Sequence, residues 1–451
     1  MRRMKAKFSF FKAGQGSFYG GSIWQHEEKQ IFTVVYDCGT SSFIAENNQS
    51  LNNEISYFKD HYLPQNNDKN NEIELLFISH LDYDHVSGLK RLLTDFKVKN
   101  IILPYIEKKH RQFFLTSISD NYAPAGELTI EEYFSFIESP NQFISQNSED
   151  TKQFFIKSNG KTEIEYEGYD NNDNQSEKIY SRGTLNTDTA ELIGQTSVSV
   201  YENNLQFFIK QNWEFTTYAK SVSEKAINQL HTSLKKKFSK TPTDSLSIDD
   251  LKKIVTTNRT EAHKCYTDCI GDINSHGLVL LHGPIRFKFL RSLICSNCEL
   301  SCFHNVYHCH CHCHCHCHCH CHCHCHCHCH DHDEYHHSNC NNKAMLGTLL
   351  LGDTSINPTN NPIAFPQAFK DKLVNVHVVQ VPHHGSSKNW DYGVFKALNI
   401  GAKRNRVVTV CNFGFGNRFG HPSPQVLSDL RSTIFLNTQF SRLNIQYDII
   451  L

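Results

Sequence analysis

A short segment, residues 79–85, carries four side chains of the types that bind metal ions in proteins. They stand at positions i, i+2, i+4 and i+5, directly after an apolar run at residues 74–78 that is typical of a buried strand. The first two can point the same way from an extended turn, and the last two can point back from a helix entrance. This pattern predicts two adjacent metal sites served by one loop, the alternative being a polar surface loop. The four residues are His80, Asp82, Asp84 and His85.

Other metal-binding side chains follow predicted strands elsewhere in the chain. Asp37, Asp353 and the pair His383-His384 each lie at the carboxyl end of one. Layered α/β proteins place their binding groups at those ends. Taken singly, each is more typical of a polar turn, because Asp after Gly and His before Gly-Ser are common in turns. Their shared position at strand ends favours one common site.

The elements that must position these residues alternate between strands and helices through the first hundred residues, which predicts a layered α/β fold. The strand at Leu278–Leu281 is expected to pair with Gly347–Leu351. Residues 105 to about 190 are rich in polar side chains, and the range 105–270 is interpreted as an inserted region with some helix, a candidate lid over the site. Within it, residues 223–240 predict a basic amphipathic helix, and Ser247 is a predicted N-cap.

Composition limits the classes of protein that the chain can represent. With 39% hydrophobic residues, including 31 Phe, the chain predicts a globular fold. A net charge of -1 argues against an extended basic surface for nucleic acid, but it allows a nucleotide or a short strand held by metals. The N-terminus lacks an apolar signal region, and no run of about 18 apolar residues occurs. We therefore expect a cytoplasmic protein that does not span a membrane; protein partners are not predicted.

A tract at residues 308–330 alternates strictly between His and Cys, with twelve His and eleven Cys. An extended chain would place all His on one face and all Cys on the other, and such a tract binds Zn, Cu or Ni. Strict two-residue repetition is also what expansion of a short DNA repeat produces. The tract lies within residues 286–345, between two predicted strands, where a surface loop tolerates insertion. We interpret it as a low-complexity insertion, with metal buffering or delivery as the alternative.

Taken together, the motifs resemble the metallo-β-lactamase superfamily, and within it the branch similar to the metallo-β-lactamase domain of the DNA-uptake protein ComEC. In the wider superfamily the second metal-loop position is usually His; here it is Asp82, as in that branch. The chain has no clear counterpart of the superfamily's additional mid-chain His ligand. The resemblance covers about residues 1–104, 270–285 and 346–451. The matching segments are Gly14–Ser17, Asp37–Gly39, Ser79–Gly88, Leu349–Asp353, Val379–Ser386 and Phe419–Pro422.

The resemblance implies a single four-layer αββα metallo-β-lactamase sandwich over residues 1–451, interrupted by the polar region and the His–Cys loop. It also implies a metal-dependent hydrolase with two divalent ions, Zn or Mn. Carboxylate ligands move the balance toward Mn. In the implied ligand set, His80 and Asp82 hold one ion, Asp84, His85 and either His383 or His384 hold the other, and Asp353 bridges them.

The resemblance further implies roles around the ions. Asp84, His384 and His421 are the candidate catalytic residues, with Asp84 accepting a proton from the attacking water. Asp37 is expected to hold a ligand His or the metal loop in place. His421 and Ser386 are candidates for contacting a substrate oxyanion, with loop packing as the alternative.

The implied reaction is hydrolysis of a phosphodiester in a nucleotide or nucleic acid. Ester, lactone or amide hydrolysis on the same fold is a second hypothesis. A third is a non-catalytic protein that binds metal through the His–Cys tract or serves as a scaffold.

Overall fold

The computed structural model describes most of the chain outside the His–Cys tract. The tract at 308–330 lies outside the described residues, as does most of the range 286–345, so its interpretation stays a prediction. The described residues are 3–25, 30–41, 50–63, 71–118, 128–158, 179–186, 197–210, 212–220, 224–238, 246–273, 277–285, 289–296, 336–337, 347–359, 362–402, 407–417, 419–431 and 433–451.

Strands make up the centre of the protein. In chain order they are β1 (Arg3–Phe10), β2 (Phe18–Gln25), β3 (Gln30–Cys38), β4 (Glu72–Ile73), β5 (Leu75–Phe77), β6 (Lys97–Val98), β7 (Asn100–Pro104), β8 (Lys152–Lys157), β9 (Ile179–Leu185), β10 (Val198–Ile209), β11 (Trp213–Lys220), β12 (Gly277–Pro284), β13 (Phe289–Ser296), β14 (His336–His337), β15 (Gly347–Leu350), β16 (Val376–Gln380), β17 (Val408–Asn412), β18 (Ile434–Asn437) and β19 (Leu443–Ile450).

Helices lie between the strands along the chain. They are α1 (Ser50–Tyr62), α2 (Tyr83–Val86), α3 (Leu89–Asp95), α4 (Lys108–Arg111), α5 (Ile130–Glu138), α6 (Pro140–Asn147), α7 (Glu224–Phe238), α8 (Ile248–Thr257), α9 (Arg259–Ile273), α10 (Gln367–Leu373), α11 (Tyr392–Ala397) and α12 (Pro424–Leu430), with 3₁₀ turns at Gln112–Ser117 and His383–Gly385. Among the described residues, no helix has both the length and the apolar character needed to cross a bilayer.

Hydrogen bonds join most strands in the order β14-β13-β19-β1-β2-β3-β5-β7-β8-β10-β11-β12-β15-β16-β17-β18, with β9 also paired to β10. Two groups of parallel strands lie within this order: β3, β5, β7, β8 and β10, and then β15, β16, β17 and β18. Parallel strands present their carboxyl ends at one edge. The loops that carry the predicted site residues therefore leave the sheet from two such edges.

Alternation of side chains along the strands separates the core into layers. Val34 and Tyr36 of β3 point into the middle cluster, whereas Val35 points outward against helices such as α1. In the other half of the sheet, Leu280 of β12 joins the same middle cluster, whereas Leu281 faces α10 and α12 on the opposite side. The two halves thus pack on each other and carry helices outside. This helix–sheet–sheet–helix arrangement is consistent with the predicted αββα fold.

Residues 105–270 contribute strands to the central sheet. Strands β8, β10 and β11 come from this range, and they are the strands that connect the two halves of the sheet. The other described parts of the range supply strand β9 and helices, including the predicted basic helix, observed as α7. The predicted N-cap is confirmed as well, since Ser247 and Asp250 form a capping box at the start of α8. The predicted pairing of β12 with β15 is also confirmed, and the two strands run antiparallel.

One polar side chain lies in the middle of the apolar core. His282 of β12 bonds to the Tyr19 hydroxyl at 2.8 Å through Nε2, and its Nδ1 accepts from the Trp213 indole N–H at 3.3 Å. Burial lowers the pKa of His282 to about 3. The imidazole is therefore neutral in the folded protein at physiological pH, with both nitrogens satisfied.

Replacing His282 by Gln should reduce the loss of stability in acid. Below the ordinary pKa of 6.5 the unfolded chain protonates this His, whereas the folded chain does so only near pH 3. The free energy of unfolding therefore falls as pH falls through this window, by roughly 1.4 kcal/mol per pH unit for one proton. Denaturant titrations of both proteins between about pH 7 and about pH 5 would measure the two slopes. Exposed His61→Gln is the matched control; identical slopes for wild type and His282→Gln would contradict this account.

Candidate metal centre

The two parallel edges meet where β5 ends. The carbonyl oxygen of Ser79 accepts from the backbone N–H of Leu278 at 2.6 Å, and the Tyr36 hydroxyl donates to the carbonyl of Leu278 at 2.9 Å. Gly352 fits against the same point in the left-handed region, with φ 54, where a Cβ would lie 2.9 Å from the Cβ of Ser79. Only glycine satisfies both constraints. The next residue, Asp353, is thereby brought opposite the loop 79–85.

Asp37 organises the metal loop from beneath. Its Oδ1 accepts from the Ser79 backbone N–H at 2.7 Å, and its Oδ2 accepts from the Ser79 hydroxyl at 2.7 Å and from His85 Nδ1 at 2.8 Å. Asp37 is fully buried and has φ 55, a left-handed conformation that Asp tolerates better than most residues. Because the Ser79 hydroxyl donates its hydrogen bond to Asp37, its oxygen accepts one from His80 Nδ1 at 2.9 Å. Both loop imidazoles are thus oriented by one carboxylate and one hydroxyl.

The turn after β16 orients a second pair of imidazoles. His383 and His384 both have positive φ, 45 and 52, so their side chains leave the backbone toward the cluster. His383 Nδ1 bonds to the Asn389 side-chain oxygen at 2.8 Å, and His384 Nδ1 donates to the carbonyl of Asn412 at 2.9 Å. In each ring the remaining nitrogen, Nε2, is directed toward the carboxylates.

Asp353 lies at the centre of the four imidazoles. Its Oδ1 is 3.2 Å from His85 Nε2 and 3.9 Å from His384 Nε2. Its Oδ2 is 3.7 Å from His80 Nε2 and 3.6 Å from His383 Nε2. The two oxygens of one buried carboxylate therefore face two different pairs of imidazoles.

The remaining carboxylates of the loop have different surroundings. Asp84 Oδ2 is 3.2 Å from His384 Nε2. Asp82 Oδ2 is 3.8 Å from His80 Nε2, and both oxygens of Asp82 accept from the Tyr266 hydroxyl, at 2.9 and 3.0 Å. Asp84 therefore faces the imidazoles directly, whereas Asp82 is shared between His80 and a tyrosine.

Burial and mutual charge set the protonation of the cluster. Burial raises the pKa of Asp353, but the imidazoles, led by His383 and His85, outweigh burial and hold that pKa well below its ordinary value. Burial lowers the pKa of His85, but Asp353 and Asp37 outweigh it, so the pKa is raised. The pKa of Asp82 is raised by burial and by the neighbouring carboxylates. Negative charge therefore concentrates on Asp353, and cations are favoured between it and the imidazoles.

The donor set fits divalent cations. His80, Asp84 and His85 bring three ligand-type atoms within 4.8 Å of one another, and so do His85, Asp353 and His384. His85 Nε2 is buried and makes no hydrogen bond among the described residues. Imidazole nitrogen with carboxylate oxygen suits Zn or Mn, and such an ion would take the place of the protons that otherwise separate these groups.

A cleft of about 270 Å³ opens above the cluster. Asp84, Asp353, His384, Ser386 and His421 are among the residues that line it. The His421 ring lies 5.5 Å from the His383 ring between centroids. The structure therefore brings together the whole predicted set: the metal-loop residues, Asp353 and the His pair at the centre, Asp37 beneath them, and Ser386 and His421 at the cleft. Their roles as ligands and catalysts stay predictions.

The fold and this cluster define a layered α/β protein with a buried His–Asp centre suited to divalent ions. A family model described as the metallo-beta-lactamase superfamily matches residues 32–146, from β3 into α6, and includes the loop 79–85. No curated protein matches the chain. Members of that superfamily are mostly metal-dependent hydrolases, so the match indicates a metal-dependent hydrolase. It covers about a quarter of the chain and ends before Asp353 and the second pair of imidazoles.

Three residues of the centre are absent from the sequence-based prediction. Ser79 and Asn389 orient imidazoles, and Tyr266 bonds to Asp82. Ser79 had a signal, since it directly precedes His80. Asn389 follows the His pair closely, but a polar residue in a turn carries no specific signal. Tyr266 lies in an amphipathic helix of the polar region, where an aromatic residue is read as core.

Replacing Asp37 by Asn should loosen the metal loop. Asn keeps the size and tolerates the positive φ, but its amide nitrogen cannot accept, so Ser79 or His85 loses a bond. We expect the free energy of unfolding to fall by about 1–3 kcal/mol, because a buried donor is left unsatisfied. Denaturant titration would measure the change, with exposed Asp95→Asn as the matched control. A loss no larger than that of the control would contradict the organising role of Asp37.

Proposed function

We propose that the chain is a metal-dependent phosphodiesterase of the ComEC-like branch that acts on a nucleotide or on nucleic acid. The observation that carries this proposal is the hydrogen-bonding pattern that four imidazoles have in common. Each has Nδ1 engaged by an oxygen atom, and each directs Nε2 toward the buried carboxylate of Asp353. An oxygen partner on Nδ1 with a lone pair on Nε2 is the arrangement of metal-binding histidines. The four residues are His80, His85, His383 and His384.

The four imidazoles fall into two pairs around Asp353, and this arrangement suits two ions. Its two oxygens face two pairs of imidazoles, which supports a bridging carboxylate between adjacent ions. We infer that both residues of the pair His383-His384 are ligands, one to each ion. His383 would then replace the superfamily's additional mid-chain His. One ion would be held by Asp84, His85 and His384, and the other by His80, Asp82 and His383, with Asp353 between them.

When bound, two such ions lower the pKa of a shared water and polarise the phosphoryl group. Within the chain, Asp84 is the carboxylate suited to accept the proton of that water. Burial raises its pKa, but His85 and His384 outweigh burial and keep the group ionised. Asp84 also lines the cleft, and Asp82 is engaged by Tyr266.

The wall of the cleft favours an anionic substrate. Lys388 contributes a positive charge there, and the neighbouring Ser386 and Ser387 contribute hydroxyl donors. Burial, with the nearby His383 and His384, lowers the pKa of His421 to about 3. His421 is therefore neutral at physiological pH and suited to a hydrogen bond with a substrate oxygen. A phosphodiester carries the negative charge that this wall matches, whereas a neutral ester or amide does not.

The test is hydrolysis of bis(p-nitrophenyl) phosphate by the full chain. We expect turnover that a chelator removes and that added Mn or Zn restores. The double substitution Asp84→Ala/His85→Ala should reduce turnover to the rate without protein, because it removes the proton acceptor and a ligand together. The exposed pair Asp95→Ala/His61→Ala is the matched control and should keep wild-type turnover.

Two outcomes would count against the proposal. Turnover retained in Asp84→Ala/His85→Ala would show that the chemistry occurs elsewhere. Chelator-sensitive hydrolysis of p-nitrophenyl acetate, with no hydrolysis of the phosphodiester, would indicate an esterase and not a phosphodiesterase. Lys388→Ala distinguishes the substrates further, since loss of a charge contact should raise the KM for the phosphodiester and leave that for the acetate unchanged.

A further inference from the structure

Helix α9 reaches the metal centre from a part of the chain that the family match does not include. The match ends at residue 146, and α9 spans Arg259–Ile273. His263, Tyr266 and Thr267 lie at helical spacing and all line the cleft. One side of the cleft is therefore a helix face supplied by the range 105–270.

Tyr266 is the residue of this face that bonds to the metal loop. Its side chain is 1% exposed, and its hydroxyl donates to both oxygens of Asp82, at 2.9 and 3.0 Å. Asp82 is also buried. A hydrogen bond from a neutral hydroxyl to a buried carboxylate is strong and fixes the rotation of the carboxylate plane.

Further contacts from the same region hold the backbone of the loop. The Tyr133 hydroxyl of α5 donates to the carbonyl of Leu81 at 2.9 Å. The Tyr83 hydroxyl donates to the carbonyl of Leu128 at 3.0 Å. These bonds position the loop backbone, whereas the bond from Tyr266 acts on a side chain that is 3.8 Å from His80 Nε2.

We propose that Tyr266 is a positioning residue that holds Asp82 toward His80 and thereby sets the affinity of one of the two metal sites. This inference rests on the proposed function. Without the hydroxyl, Asp82 would regain rotational freedom, and binding an ion would have to restrict it again. Removing such a partner of a metal ligand commonly lowers metal affinity about 10–100-fold. The other proposed site, formed by Asp84, His85 and His384, does not include Asp82, and its affinity should be unaffected.

The test compares Mn(II) binding by the full chain and by Tyr266→Phe, which removes one oxygen atom. Mn(II) is the probe because it favours carboxylate ligands, and any binding by the His–Cys tract is the same in both proteins. Free Mn(II), followed by its electron paramagnetic resonance signal, should reveal one site weakened about 10–100-fold and the other unchanged. Tyr218→Phe is the matched control, because it removes a tyrosine hydroxyl that donates to a backbone carbonyl, that of Ala364, outside the metal loop. It should leave both affinities within about threefold.

A double-mutant cycle separates positioning from damage to the fold. If Tyr266 acts through Asp82, adding Tyr266→Phe to Asp82→Ala should cause no further loss of Mn(II) affinity. Additive losses would overturn the inference, and so would two unchanged sites in Tyr266→Phe. A separate measurement tests the proposed function. If Asp84→Ala/His85→Ala bound as much Mn(II) as wild type, these residues would not form a metal centre, and both the proposed function and this inference would be refuted.

Discussion

Three carboxylates and four imidazoles meet at the floor of one cleft, and most of them are cut off from water. Buried charge is costly unless it is compensated, so the groups must lie where each offsets another. Asp353 meets this requirement by facing all four imidazoles with its two oxygens. The surrounding structure holds these groups in place against the repulsion between their like charges.

That support combines regular strands with strained loops. The parallel strands bring the loops to a common place, and the loops then depart from ordinary backbone geometry. Asp37, His383 and His384 all have positive φ, and Gly352 fits where a side chain would collide with Ser79. Such conformations persist only when neighbouring contacts determine them, and here these contacts are hydrogen bonds to the site residues themselves.

The range 105–270 links the site to the rest of the protein in two ways. Its strands β8, β10 and β11 complete the sheet between the two halves. Its helices supply one side of the cleft and the hydroxyl that bonds to Asp82. A region that reads as an insertion is therefore part of both the core and the candidate centre, which ties the state of the metal loop to the packing of these helices.

The sequence by itself determined the local part of this protein. Sequence patterns predicted the buried strand before residue 79, the pairing of β12 with β15, the helix α7 and the N-cap Ser247. The spacing of His80, Asp82, Asp84 and His85 indicated a metal site. The carboxyl ends of strands also indicated that Asp37, Asp353 and the His pair share a site. These features depend on residues close together in the chain, where alternation, capping and turn chemistry act directly.

Only the tertiary structure decided which atoms face each other. The division of the imidazoles between the two oxygens of Asp353, and the bond from Tyr266 to Asp82 across 184 positions of sequence, depend on how distant elements pack. The same holds for β8, β10 and β11, whose role follows from pairing with strands far away in the chain. No local pattern encodes such contacts, because burial and register are set jointly by all the layers of the fold.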